Sequence, residues 1–148
     1  KVCFMGLQRN LYPLLKHAKL LVMTSLWEGL PISLLETMSL GIPAIVSDCS
    51  SGIRAVWETQ EVPTDRIWEE PCHWTPYGGL IRSVEHDAMT INLWSAAIIK
   101  LMSDRTLYEN CSAAGRLRVK SFDVESICEV WKRELLEPIS VNNKRNAV

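Results

Sequence analysis

Apolar and polar positions along this chain alternate between short continuous runs and helically spaced stripes. Val2-Cys3-Phe4-Met5 is an apolar run closed by Gly6, and reads as a first strand. Leu11, Leu14, Leu15 and Ala18 then recur at helical spacing. Leu20-Leu21-Val22-Met23-Thr24 is continuous, the pattern of a parallel strand buried on both faces. Pro31 suits the first position of the next helix, where its lack of an N–H is no loss. Gly41 ends that helix and Pro43 blocks its continuation. Ala44-Ile45-Val46-Ser47 repeats the buried-strand pattern, and Gly52 to Trp57 reads as a short helix. Three strand-then-helix steps at this spacing predict an α/β fold, a Rossmann-like parallel sheet flanked by helices with right-handed crossovers.

Residues 60 to 78 interrupt the pattern. Pro63, Pro71, Pro76, Gly78 and Gly79 punctuate a long irregular segment that carries Trp68 and Trp74. Leu80-Ile81 reads as one more short strand. The rest is helical: Leu93, Trp94, Ala97, Ile98 and Leu101 share a face, as do Leu107, Cys111 and Ala114. A last helix opens at Asp123, a good capping residue, and its stripe of Val124, Ile127, Cys128, Trp131 and Leu135 reads as a core face. One domain over residues 1–137 and a frayed polar tail over 138–148 are expected. The chain starts inside an apolar run without Met, so upstream sequence is expected too.

Composition narrows the classes of function. At 148 residues the chain is long enough to bury one core without staples. A net charge of −1 gives no footprint for a nucleic-acid partner. The five cysteines include no Cys-x-x-Cys, which points to free thiols in a reducing, cytoplasmic setting. No apolar run reaches the ~18 residues of a membrane span. Lys144 and Arg145 make too small a basic cluster to favour a lipid surface. His17, His73 and His86 are isolated, so no metal site is expected.

In open α/β sheets ligands bind beyond the carboxyl ends of the strands. That rim carries Gly6-Leu7-Gln8, then Thr24 to Gly29, then Ser47 to Gly52. Two carboxylates stand out. Glu28 falls in the turn after a strand, and Glu36 lies about 7.5 Å along the helix that follows Pro31. Ser33 and Thr37 are expected on the polar face with Glu36, whereas Leu34 and Met38 face the sheet. Between the two carboxylates the N–H groups of Leu30, Ile32 and Ser33, at the positive end of the helix dipole, are free for an anion. Gly29 lets the backbone approach. A ligand with hydroxyls at both ends and phosphates in the middle, as in a nucleotide-sugar, fits that spacing. Asp48 is expected to cap the helix after it, and Arg54 either to reach a phosphate or to pair with a neighbour.

The stretch Ser25-Leu26-Trp27-Glu28-Gly29-Leu30-Pro31-Ile32-Ser33-Leu34-Leu35-Glu36, with Gly41-Ile42-Pro43 and Ser47-Asp48 after it, resembles the donor-binding signature of retaining glycosyltransferase family 4. The resemblance implies the C-terminal half of a GT-B architecture and a hexosyltransferase. It implies that Glu36 accepts from the ribose hydroxyls and that Glu28 lies at the donor sugar and positions its anomeric carbon. Gly29, Leu30 and Ile32 would hold the diphosphate, and Gly6, Leu7 and Gln8 would border the base.

It further implies no metal and no cofactor beyond the nucleotide-diphosphate sugar itself. The saccharide or lipid-linked acceptor would sit on an N-terminal domain outside this chain, as would the Arg and Lys that neutralise the diphosphate, so this part alone would be inactive. The setting implied is cell-surface polysaccharide or glycolipid synthesis in the cytoplasm, with room for peripheral association at the inner face of the membrane. A sugar-nucleotide epimerase of the same architecture, or a non-catalytic nucleotide-binding module, is the alternative.

Overall fold

The computed structural model describes residues 1–57, 72–82 and 88–136. In chain order these form α1 (Tyr12–Leu15), β1 (Leu21–Met23), α2 (Ile32–Ser39), β2 (Ala44–Asp48), α3 (Ser51–Val56), β3 (His73–Thr75), β4 (Gly78–Arg82), α4 (Ala88–Ser103), α5 (Arg105–Arg118), a 3-10 turn (Val119–Phe122) and α6 (Val124–Leu136). The four strands make one sheet in the order β1-β2-β4-β3. β1, β2 and β4 run parallel, and β3 pairs antiparallel with β4 as an added edge. The architecture is the expected α/β one.

The centre of the sheet carries the fold. Ala44, Ile45 and Val46 of β2 are wholly buried. Successive residues of a strand face opposite sides. Ala44 and Val46 therefore pack with Leu34, Met38, Ile53 and Val56 under α2 and α3. Ile45 packs on the other side with Ile81, Ala97, Leu101 and Cys111 under α4 and α5. Each such aliphatic side chain contributes about 1.5–3 kcal/mol by leaving water. Gly78 meets β2 backbone to backbone: a Cβ there would lie 1.9 Å from the Ala44 carbonyl oxygen.

Helix ends follow local chemistry. Gly41 adopts φ +72, and its N–H bonds the Met38 carbonyl at 2.8 Å while the Ile42 N–H bonds that of Thr37 at 3.2 Å. These two bonds close α2 in a Schellman motif. Asp104 and Asp123 cap α5 and α6 through the Leu107 and Ser126 N–H groups, at 2.9 and 2.7 Å. The Ser126 N–H holds the Asp123 carboxyl below the usual range. Helix α5 links the far ends of its neighbours. Arg116 donates to the Leu40 carbonyl at 3.1 Å, and Arg118 donates to those of Val56 and Ala55 at 2.8 and 2.7 Å.

Several sequence expectations need correction. Val2–Met5 is not a strand; it joins no ladder among the described residues, and Phe4 is 95% exposed. Strand propensity without a ladder partner does not make a strand. The stripe from Leu11 to Ala18 contracts to the single turn of α1. β1 is a three-residue edge strand with Val22 exposed, not a strand buried on both faces. Pro31 is the cap of α2 rather than its first residue. The segment from 60 to 78 is not irregular throughout, since it contains β3 and opens β4; Trp68, Pro63 and Pro71 lie outside the described residues. Trp74 packs in the second core with Lys100 over its ring at 4.8 Å. The α6 stripe is no core face: Val124, Trp131 and Leu135 are all exposed.

Candidate functional site

β1 and β2 run parallel with Met23 opposite Val46, so the loops that follow them leave the sheet at one edge. α2 and α3 start at that edge, and polar contacts stitch the two loops together. The Ser47 hydroxyl of β2 donates to the Ser25 carbonyl. The Ser50 hydroxyl lies 3.4 Å from the Gly29 carbonyl. Gly52 packs directly against Gly29. The rim is a seam between two segments, fixed from the sheet outward.

Glu28 lies in the β1 loop that forms one side of this seam and Glu36 is the fifth residue of α2, and both are half-buried. The Ser25 hydroxyl donates to Glu28 Oε1 at 2.7 Å. Among the described residues neither carboxylate has a cationic partner, and the Glu36 carboxylate accepts no hydrogen bond. Between them, the Pro31 carbonyl accepts from the Leu34 and Leu35 N–H groups at 3.1 and 3.3 Å. The N–H groups of Ile32 and Ser33 stand ahead of these first helical bonds and are left for an outside acceptor. No acidic residue occupies the first turn of α2 to compete for them. An anion at such an end gains about 0.3–1 kcal/mol where exposed. The arrangement can therefore grip hydroxyls with two carboxylates and an anion with backbone donors. Leu30 and Ile32 are exposed beside it.

The structure regroups other sequence candidates. Gly6, Leu7 and Gln8 lie in exposed coil, where the Gln8 side chain bonds the Met5 carbonyl, and no hydrogen bond among the described residues joins them to the seam. Thr37 is buried and donates to the Ser33 carbonyl at 2.6 Å, so it does not share the exposed face with Ser33. Asp48 does not cap α3. Ser50 does, accepting from the Ile53 N–H at 3.2 Å, while Asp48 pairs with Arg54 at 2.7 Å. Arg54 is thereby tied to its own loop. Sequence reasoning assigned nothing to Ser25 and Ser47. The Ser25-x-x-Glu28 spacing could have flagged the first, since a hydroxyl three residues from a carboxylate in a turn readily reaches it. The second depends on strand register.

Among the described residues no group of three or more His, Cys, Asp or Glu side chains could hold a metal ion, and no helix is long and apolar enough to cross a membrane. Residues 1–118 match the family described as glycosyl transferases, group 1. Over 146 residues, 88% of this chain, the sequence is 32% identical to an uncharacterized glycosyltransferase of Methanocaldococcus jannaschii, of which the match covers 34%. A 40-residue stretch, 27% of the chain, is 55% identical to lipopolysaccharide 1,6-galactosyltransferase of Salmonella typhimurium, covering 11% of that protein. Another of 48 residues, 32% of the chain, is 38% identical to the UDP-Gal:alpha-D-GlcNAc-diphosphoundecaprenol alpha-1,3-galactosyltransferase of Escherichia coli, covering 12% of it. The chain spans about a third of the length of the archaeal relative.

Proposed function

The chain belongs to the group 1 glycosyl transferases, and on that premise we propose that it is the donor-binding part of an enzyme moving a sugar from a nucleoside-diphosphate sugar to an acceptor with retention. The proposal rests on one arrangement: two half-buried carboxylates, neither neutralised among the described residues, on either side of the open N–H end of α2. A carboxylate accepts and cannot donate, so its natural partners are ligand hydroxyls.

In this assignment Glu36 accepts from the ribose hydroxyls and Glu28 from the ring hydroxyls of the donor sugar. The diphosphate spans the gap over Gly29, Leu30 and Ile32. There, fixed N–H dipoles stabilise the charge that grows on the leaving group as the glycosidic bond breaks. Gly6, Leu7 and Gln8 border the base. No metal enters the assignment. The acceptor, a saccharide or a lipid-linked saccharide, sits on a part of the protein outside this chain. Acting on such acceptors, the enzyme is assigned to the cytoplasm or to the inner face of a membrane, in polysaccharide or glycolipid synthesis. The donor-binding unit is assigned to residues 1–137; residues 138–148 lie outside the described residues.

Isothermal titration of the intact protein with UDP, GDP and ADP tests this. Saturable binding of one nucleotide, weakened at least about tenfold by Glu36→Ala and unchanged by Lys132→Ala on α6, is expected. Absence of binding by all three would overturn the assignment. A labelled donor separates transfer from epimerisation: the transferase yields a glycosylated acceptor, the epimerase a free altered nucleotide-sugar.

A further inference from the structure

We propose that Ser25 is the positioning residue for Glu28, and that Ser47 anchors Ser25 to the centre of the sheet. The proposal deepens the donor-site assignment above and rests on it. Glu28 lies in a loop, five residues beyond the end of β1, where nothing in the local backbone fixes a long side chain. A Glu side chain loses up to about 1.5–2 kcal/mol of rotamer freedom when held in one place, so an untethered carboxylate would meet that cost on binding. Here it is already held. Ser25 Oγ lies 2.7 Å from Glu28 Oε1, a full-strength hydroxyl hydrogen-bond length. A hydroxyl has a single proton to donate, and Ser25 commits it to this bond. Glu28 Oε2 is left for the ligand.

The tether itself has a fixed origin. Ser47 is 3% exposed on β2, next to the wholly buried Val46. Its hydroxyl donates to the Ser25 carbonyl across 22 residues of sequence. Met23 pairs with Val46, so Ser47 stands level with the first residue of the β1 loop, just where the chain turns toward Glu28. The order of constraint is β2, Ser47, Ser25, Glu28. Ser25 acts on the ligand through the carboxylate and not by touching it.

A double-mutant cycle on the intact protein tests this. Affinities are measured for UDP, GDP and ADP and for UDP-galactose, GDP-mannose and ADP-glucose, with Tm alongside. The readout is the gain that the sugar adds over the free nucleotide. Ser25→Ala is expected to cut that gain about two- to tenfold, the cost of immobilising one side chain on binding. Free-nucleotide affinity stays unchanged. Ser25→Thr, which keeps the hydroxyl, restores the gain, and Ser25→Ala adds nothing in a Glu28→Gln background. A merely structural serine would lower nucleotide and nucleotide-sugar affinity together.

If Glu28→Gln removes the gain but Ser25→Ala leaves it whole, or weakens both ligand classes equally, the tether is refuted and the donor site stands. If Glu28→Gln leaves the gain intact, or no pair binds, the donor-site assignment falls and the tether with it. Should Ser25→Ala not fold, Ser25→Cys keeps the volume with only a weak donor and carries the same expectations.

Discussion

Gly52, the second residue of α3, sits so close to Gly29 that a Cβ on it would lie 1.8 Å from the Gly29 carbonyl oxygen. The contact is backbone on backbone, so neither side can yield by turning a side chain. Gly52→Ala must push the β1 loop away and drag the start of α2 with it. We expect a stability loss of about 1–3 kcal/mol from overpacking. Nucleotide affinity should fall about tenfold, the equivalent of ~1.4 kcal/mol. Thermal melts and titration calorimetry on the same preparation check both effects.

Glu36 offers a sharper chemical test than its simple removal. If its carboxylate accepts from the ribose, Glu36→Gln should weaken the preferred nucleotide about ten- to hundredfold. Glu36→Ala, which leaves no acceptor, should erase the preference for that nucleotide over its 2′-deoxy form, whereas Gln, whose amide oxygen still accepts, should only narrow it. An alanine variant that binds weakly yet still prefers the ribose in full would place the carboxylate elsewhere.

Arg118 grips the last turn of α3 with two hydrogen bonds, to Val56 and Ala55, and its guanidinium stacks on Phe122 at 4.8 Å. Positive charge at a helix C-terminus is favourable, and the forked donor geometry belongs to Arg alone. Arg118→Lys should therefore fall well short of restoring what Arg118→Ala loses. That loss is expected to be about 2 kcal/mol, read as a Tm drop of roughly 4–8 °C.

Burial pushes the Cys111 thiol up to about 11. The folded state thus keeps its proton when the unfolded chain, titrating near the ordinary thiol value, has lost it. Folding contributes this stability in full below about pH 9 and loses it as pH climbs toward 11, by roughly 2 kcal/mol. Urea melts from pH 8 to 11 should show the decline, and Cys111→Ala should flatten that portion of it. At pH 8 iodoacetamide should label the exposed Cys3 and Cys128 while sparing Cys111 until the protein unfolds.

What could be read in advance divides along a physical line. β2 was legible because a strand buried on both faces leaves a continuous apolar run. The close of α2 was legible because only a residue tolerant of φ +72 ends a helix as Gly41 does. Val2–Met5 misled, since its side chains describe a strand but only a neighbouring ladder makes one. In α6 the periodicity located the apolar stripe correctly, yet periodicity says which face is apolar and not what lies over it. The two carboxylates were singled out by their spacing together with the Gly29, Pro31, Gly41 and Pro43 pattern around it. Their support was half-hidden: Ser25 is a local neighbour of Glu28, but Ser47 reaches Ser25 through a register that no local pattern encodes.

The arginines of α5 also set an order in time. α2 and α3 begin at the seam, and their opposite ends are held by Arg116 and Arg118 across separations of 76 and 62 residues. On the ribosome both helices emerge long before the guanidinium groups that brace them. A nascent chain cut short of Arg118 would carry every residue of the seam and still lack the brace at its back. The brace behind the seam is therefore a late acquisition of synthesis, gained when the last turn of α5 clears the exit tunnel.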